Sequence, residues 1–110
     1  MPQNPALVAR IRPLVADEAG LVEKTMFGGV GFLIRGNMAV GTLSDGSMLV
    51  RVAPDASDAL TQLPHASLME QRGKGMRGWI VVAPEGYAAD ADLAAWVARG
   101  AGYARGLPPK

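Results

Sequence analysis

The 110-residue chain is long enough for one compact domain and too short for two ordinary ones, and its 49% hydrophobic but only 5% aromatic content argues for a mostly aliphatic core and against disorder or large ring-stacking surfaces. Eleven Lys and Arg against ten Asp and Glu leave a formal charge of +1, which disfavours a nucleic-acid binder that works through its whole surface. The lack of cysteine removes disulfides, thiolate nucleophiles and sulfur-ligated metal sites.

No apolar run approaches the roughly 18 residues of a membrane-spanning helix. Arg10 and Arg12 interrupt the amino-terminal apolar stretch, so no signal sequence, no membrane association and a cytoplasmic location are expected. The spacing of Leu7, Val8, Ile11, Leu14 and Val15 predicts an opening helix with Asn4 as N-cap and Pro5 in its first position. Gly20 should stop it, and Pro13 should kink or split it.

From Val22 to Val52 the apolar period falls to two. Two-residue hairpins at Gly36-Asn37 and Asp45-Gly46 would pair Arg35 with Met38 and Ser44 with Ser47. That register places Phe32 opposite Gly41, Ile34 opposite Ala39, and Gly41 opposite Val50. An inner face follows of Val30, Phe32, Ile34, Ala39, Gly41, Leu43, Met48, Val50 and Val52. The opposite face carries Gly31, Leu33, Arg35, Met38, Val40, Thr42, Leu49 and Arg51. It is too apolar for an ordinary wet surface, so a helix or loop of the chain, or a partner, should cover part of it.

Pro54, Asp55 as N-cap and Asp58 mark a short helix with Leu60 and Leu63 inward, ended by Pro64. Ser67 to Gln71 and Trp79 to Ala83 read as strands, the second apolar enough to be buried on both faces. Asp90 should cap a last helix bearing Leu93, Trp96, Val97 and Ala101, with Gly100 and Gly102 as sites of close packing.

Catalytic chemistry finds little support. His65 is the only histidine, no Ser sits in a nucleophile elbow, and the carboxylates scatter among caps and turns. A pocket gathering Glu70, Arg72 and His65 is the least favoured reading. Met26-Phe27-Gly28-Gly29-Val30-Gly31 lacks the Lys and the spacing of a phosphate loop and reads as a reversal with Met26 and Phe27 packed inward. Arg72-Gly73-Lys74-Gly75-Met76-Arg77-Gly78 is the densest positive charge. Either it is a solvated hairpin loop or Arg72, Lys74 and Arg77 clasp an anion or nucleic acid. Trp79 reads as a core anchor.

Met26 to Phe32, Gly36-Asn37-Met38, Leu49 to Val52, Gly73 to Met76 before Gly78-Trp79, and Leu93-Ala94-Ala95-Trp96 together resemble the TfoX N-terminal domain family. That family includes the bacterial TfoX/Sxy competence regulators and short stand-alone proteins. The resemblance covers nearly the whole chain and implies an α+β domain with an antiparallel sheet flanked by helices. The two-domain regulators carry a further helical domain, and a role in transcriptional regulation is implied only through the shared first domain.

The expectation is therefore a single α+β domain over residues 1–110, ordered from about 4 to 106, with an antiparallel meander between amino- and carboxy-terminal helices. It should act as a non-enzymatic protein-interaction module without cofactor or metal. Leu33, Arg35, Met38, Val40, Leu49 and Arg51 form the expected surface for a protein partner or a second copy in a homodimer. Anion or nucleic-acid binding by Arg72, Lys74 and Arg77 is the alternative.

Overall fold

A computed structural model describes residues 5–26 and 28–109, with the side chains of Met26 and Gln71 excluded. The expected cap at Asn4 and the inward packing of Met26 and Phe27 lie outside the described residues. Helix α1 (Pro5–Val15) leads into strands β1 (Leu21–Met26), β2 (Gly29–Ile34), β3 (Asn37–Thr42) and β4 (Met48–Arg51). A 3-10 turn (Pro54–Ala56) and α2 (Ser57–Leu60) follow, then β5 (Ala66–Gln71), β6 (Lys74–Val82), α3 (Pro84–Tyr87) and α4 (Asp90–Arg105). The architecture is α+β: one antiparallel sheet of order β1-β2-β3-β4-β6-β5, with amino- and carboxy-terminal helices.

Pro13 neither splits nor stops α1, which runs on to the buried Val15. A proline in the last turn deletes a single intrahelical bond, and burial of Val15 outweighs it. Leu14 leaves the predicted stripe and is 43% exposed. Two cap assignments change. Asp90 falls in the first turn of α4, whose N-cap is Ala89, and Asp55 lies in the 3-10 turn capped by Ala53, with Ala56 as the N-cap of α2; the helix dipole favours an acid in a first turn. Asp90 also receives a 2.9 Å bond from Arg10.

The main departure is in β3. The first hairpin turns at Arg35-Gly36 rather than Gly36-Asn37, with φ of 54° and 85° suiting a type I′ turn. Ile34 therefore faces Asn37, and Leu33 faces Met38. The register then slips so that Phe32 faces Val40, leaving Ala39 as the extra residue of a bulge. Beyond it, Val40 and Thr42 turn inward and Gly41 outward. Val40 pairs with Val50 and Gly41 with Leu49, one step from the predicted register. The inward assignments of β2 and β4 hold, and Phe32, Met48 and Val50 are fully buried. Leu43 instead enters the β3–β4 loop, where its N–H bonds the Ser47 carbonyl at 2.8 Å.

Most of the basic glycine segment is strand. Arg72-Gly73, with φ of 54° and 78°, repeats the Arg-Gly turn, and Gln71 to Met69 pair with Lys74 to Met76. A bulge then restores pairing at Leu68 and Ile80. Gly78 at its centre donates a 2.7 Å bond to the buried Ser57 hydroxyl. Thus the crossover that carries the chain from β4 over β6 to β5 is tied to the strand it passes.

One row crosses all six strands on the helix side: Glu23, Phe32, Val40, Val50, Ile80 and Leu68. Phe32, Val40, Val50 and Ile80 share a core with Leu7, Ile11 and Val15 of α1 and Leu93, Trp96 and Val97 of α4. Farther along α4, Ala101 and Ala104 pack on Ile34 and Ala39. Only one face of β6 is covered, with Ile80 and Val82 fully buried and Val81 half-buried. Leu63, expected inward, is 37% exposed.

Two ion pairs hold α1 and the loop after it. Arg12 clamps Glu23 of β1 with bonds of 2.9 and 3.0 Å, and Arg105 of α4 clamps Glu18. Hydrogen bonding from these arginines, aided by their charge, holds both glutamates below their ordinary value although partial burial acts the other way. The same bonds raise the arginines.

The folded-state depression means these pairs stabilise fully above the ordinary glutamate value of 4.5, with the gain lost as pH falls through the lower folded-state values. A melting series between pH 7 and pH 2 should therefore fall less steeply for Glu18→Gln/Glu23→Gln than for the unaltered chain. Identical acid limbs would refute the linkage. At Gly100 an added Cβ would lie 2.3 Å from the Ala39 carbonyl oxygen, whereas Gly102 has nothing within 4 Å. Calorimetry should thus find Gly100→Ala destabilised by about 1–3 kcal/mol through overpacking and Gly102→Ala stabilised by up to about 1 kcal/mol through helix propensity. Shifts of the same sign would remove the close-approach argument.

Candidate functional site

Residues directly opposite in an antiparallel pair share a face, and successive residues alternate faces. The row next to the core row therefore points away from the helices: Lys24, Gly31, Gly41, Leu49, Val81 and Ser67. A neighbouring row runs Val22, Leu33 and Met38. Arg51 lies opposite Trp79, and Met69 opposite Met76. Strand residues buried with the helices in the two core clusters all point the other way. The expectation that the chain's own helix or loop covers the second face is overturned, because the β4–β5 crossover and the terminal helices all pack on the first.

The open face is apolar at its centre. Val22 is 55% exposed, while Leu33, Met38, Val81 and Met69 are half-buried among their neighbours. Leu49, in mid-sheet, is 7% exposed. The Gly31–Gly41 pair carries no side chains there, and Met38 lies over Gly41, its methyl 2.9 Å from where a Cβ would stand.

Of the six residues expected on this face, Leu33, Met38 and Leu49 occupy it, and Arg51 follows them in register while its guanidinium turns toward Tyr103 of α4. Arg35 sits in the turn at its end. Val40 does not belong to it: the bulge at Ala39 rotates Val40 inward, where it is fully buried in the core. The Arg51 guanidinium lies 5.1 Å from the Trp79 ring centroid and 5.7 Å from that of Tyr103, within cation–π range. Tyr103 belongs to α4, so the guanidinium reaches toward the helix side at the end of the sheet. The register alone puts Arg51 and Trp79 in the outward alternation, and Trp79 stands outside the buried core clusters rather than anchoring the core. Lys24, Val22, Val81 and Met69 were not foreseen there, although the alternation Val22-Glu23-Lys24 already separates an outward from an inward set.

Arg72, Lys74 and Arg77 do not act as one cluster. Arg77 pairs with Asp58 at 2.9 Å, whereas Arg72 and Lys74 lie exposed at the β5–β6 turn and form no ion pair among the described residues. Arg35 and Arg51 share that end of the sheet with them, since the β2–β3 turn, the end of β4 and the β5–β6 turn all fall there, on different strands.

The suggested gathering of His65 with Glu70 and Arg72 is also overturned: His65 precedes β5, and Glu70 and Arg72 lie at its far end. His65 borders a different cleft, about 200 Å³, with Glu85, Asp92, Trp96 and Arg99. Arg99 stacks 4.6 Å from the Trp96 centroid. Among the described residues no group of three His, Asp or Glu side chains could hold a metal ion. No helix among them is long and apolar enough to cross a membrane.

These features define a two-layer α+β domain that keeps every helix on one side of its sheet and an apolar, cation-fringed surface on the other. The chain belongs to the TfoX N-terminal domain family, matching it over residues 14–104. No curated protein and no solved structure matches it.

Placing a carboxylate at Val40 should remove about 4 kcal/mol or more of stability, because the charge is buried without a partner. Met38→Glu, two residues away on the open face, should cost no more than about 1 kcal/mol. Urea denaturation of both variants checks this, and comparable losses would contradict the bulge-shifted register.

Proposed function

We propose that this protein is a non-enzymatic interaction module that engages a protein partner through the open face of its sheet, in a regulatory role connected with transcription. The observation carrying the reading is that apolar face. An antiparallel sheet with one side packed and one side wet normally alternates apolar with polar residues. Here the wet side keeps Val22, Leu33, Met38, Leu49 and Val81, a combination associated with interaction surfaces. Family membership supports the regulatory part, since TfoX-type domains are associated with competence regulation.

Affinity purification from the source cell, comparing the tagged chain with folded Met38→Glu, tests the reading. Protein partners should fall at least tenfold in the variant, because a charge at the middle of an interface must be desolvated. Unchanged partners in unchanged amounts would exclude the face as the binding surface.

A further inference from the structure

We propose that the open face docks an acidic protein segment with an apolar centre, rather than a second copy of this chain or a nucleic acid. The inference rests on the interaction reading above and adds the chemistry of the partner. Its basis is a separation of charge that the net value of +1 conceals. Lys24 and Lys74 occupy outward, exposed positions on the strands, and Arg35 and Arg72 sit in the two turns at one end.

No Asp or Glu points outward from any of the six strands. Glu23 lies opposite Phe32 on the helix side and is held by Arg12. Glu70 lies opposite Gly75 on the side of Leu68, whose side chain an added Cβ at Gly75 would meet. The remaining acids are in helices, in their flanking turns or in the β3–β4 loop. The face therefore presents an apolar middle with a fringe of one sign.

That pattern selects among occupants. Two copies placed face to face with their cationic ends together set like charges against each other, which opposes association. With the ends reversed, each fringe meets a face that carries no acid to pair with it. A nucleic acid would satisfy the fringe and waste the centre. Duplex backbone offers nothing to Leu33, Met38 and Val81, and single strands need ring platforms on which bases stack. Among the described residues the only ring directed outward from a strand is Trp79, already covered by Arg51. An anionic bilayer would reward protruding apolar side chains, whereas most of these are half-buried in a flat sheet. An acidic segment with apolar residues on one side matches both the centre and the fringe.

The test is selection of phage-displayed random 16-residue peptides on the immobilised full chain, followed by fluorescence anisotropy with the selected peptides. Selected sequences should combine Asp or Glu with apolar residues and carry net negative charge. Their affinity should fall at least tenfold for Lys24→Glu/Lys74→Glu and for Met38→Ser, each shown folded by its melting curve, and should be unchanged for Glu85→Lys in the distant cleft. Loss with Met38→Ser but not with charge reversal would keep the face and overturn the acidic partner. Indifference to Met38→Ser, or a selection yielding no binder, would overturn the docking surface itself. Charge-sensitive binding of oligothymidylate or of phosphatidylglycerol vesicles by the unaltered chain, without acidic peptide binders, would reassign the face to nucleic acid or lipid.

Discussion

The close approach of α4 to β3 governs how the two layers of this protein fit. At Gly100 the helix meets the backbone carbonyl of Ala39, and even a methyl group there would lie 2.3 Å from that oxygen. The strand contributes its share through the Ala39 bulge, which keeps two successive small or branched residues, Ala39 and Val40, under the helix. With α4 seated so low, Val97 and Ala101 reach the sheet directly. α1 then closes the core beside α4, with Arg10 bonded to the Ala88 carbonyl and to Asp90. Tyr87 of α3 fixes the β3–β4 loop by donating a 2.5 Å bond to the Gly46 carbonyl.

Alternation within a strand was legible from the residues themselves, which is why the inner faces of β2 and β4 follow from Phe32-Leu33-Ile34 and Met48-Leu49-Val50 alone. Register across β3 was not. It depends on which residue is left unpaired, and nothing about Ala39 announces a bulge, because a small residue fits either a regular pair or an irregular one. The turn misled for a related reason. Gly36-Asn37 and Arg35-Gly36 share a glycine, and only the contacts of Arg35, whose N–H bonds the Gly20 carbonyl at 3.1 Å, distinguish them. Thus Val40 was misplaced while Leu33, Met38 and Leu49 were not.

The basic glycine segment shows a different limit of local reading. Composition alone presents Arg72 to Gly78 as one flexible cationic loop. Pairing with β5 converts it to a two-residue turn and a strand, so the cations point in directions set by the pleat. Arg77 goes to Asp58, and Lys74 goes to the open face. Charge that is contiguous along the chain is dispersed in space, while Lys24 and Lys74, far apart along the chain, share one surface.

The same connection explains why that surface stays bare. β4 and β5 both flank β6 and run parallel to each other, so the chain between them must cross one face of the sheet. Leu60 packs on the core and Ser57 accepts the Gly78 N–H, which commit the crossing to the side already occupied by α1 and α4. Every long connection then lies on one layer, and the tight turns at Arg35-Gly36 and Arg72-Gly73 are too short to shield the other. The second face thus keeps Val22 exposed and Leu33 and Met38 half-buried, apolar area that no long connection of the chain is placed to remove from water.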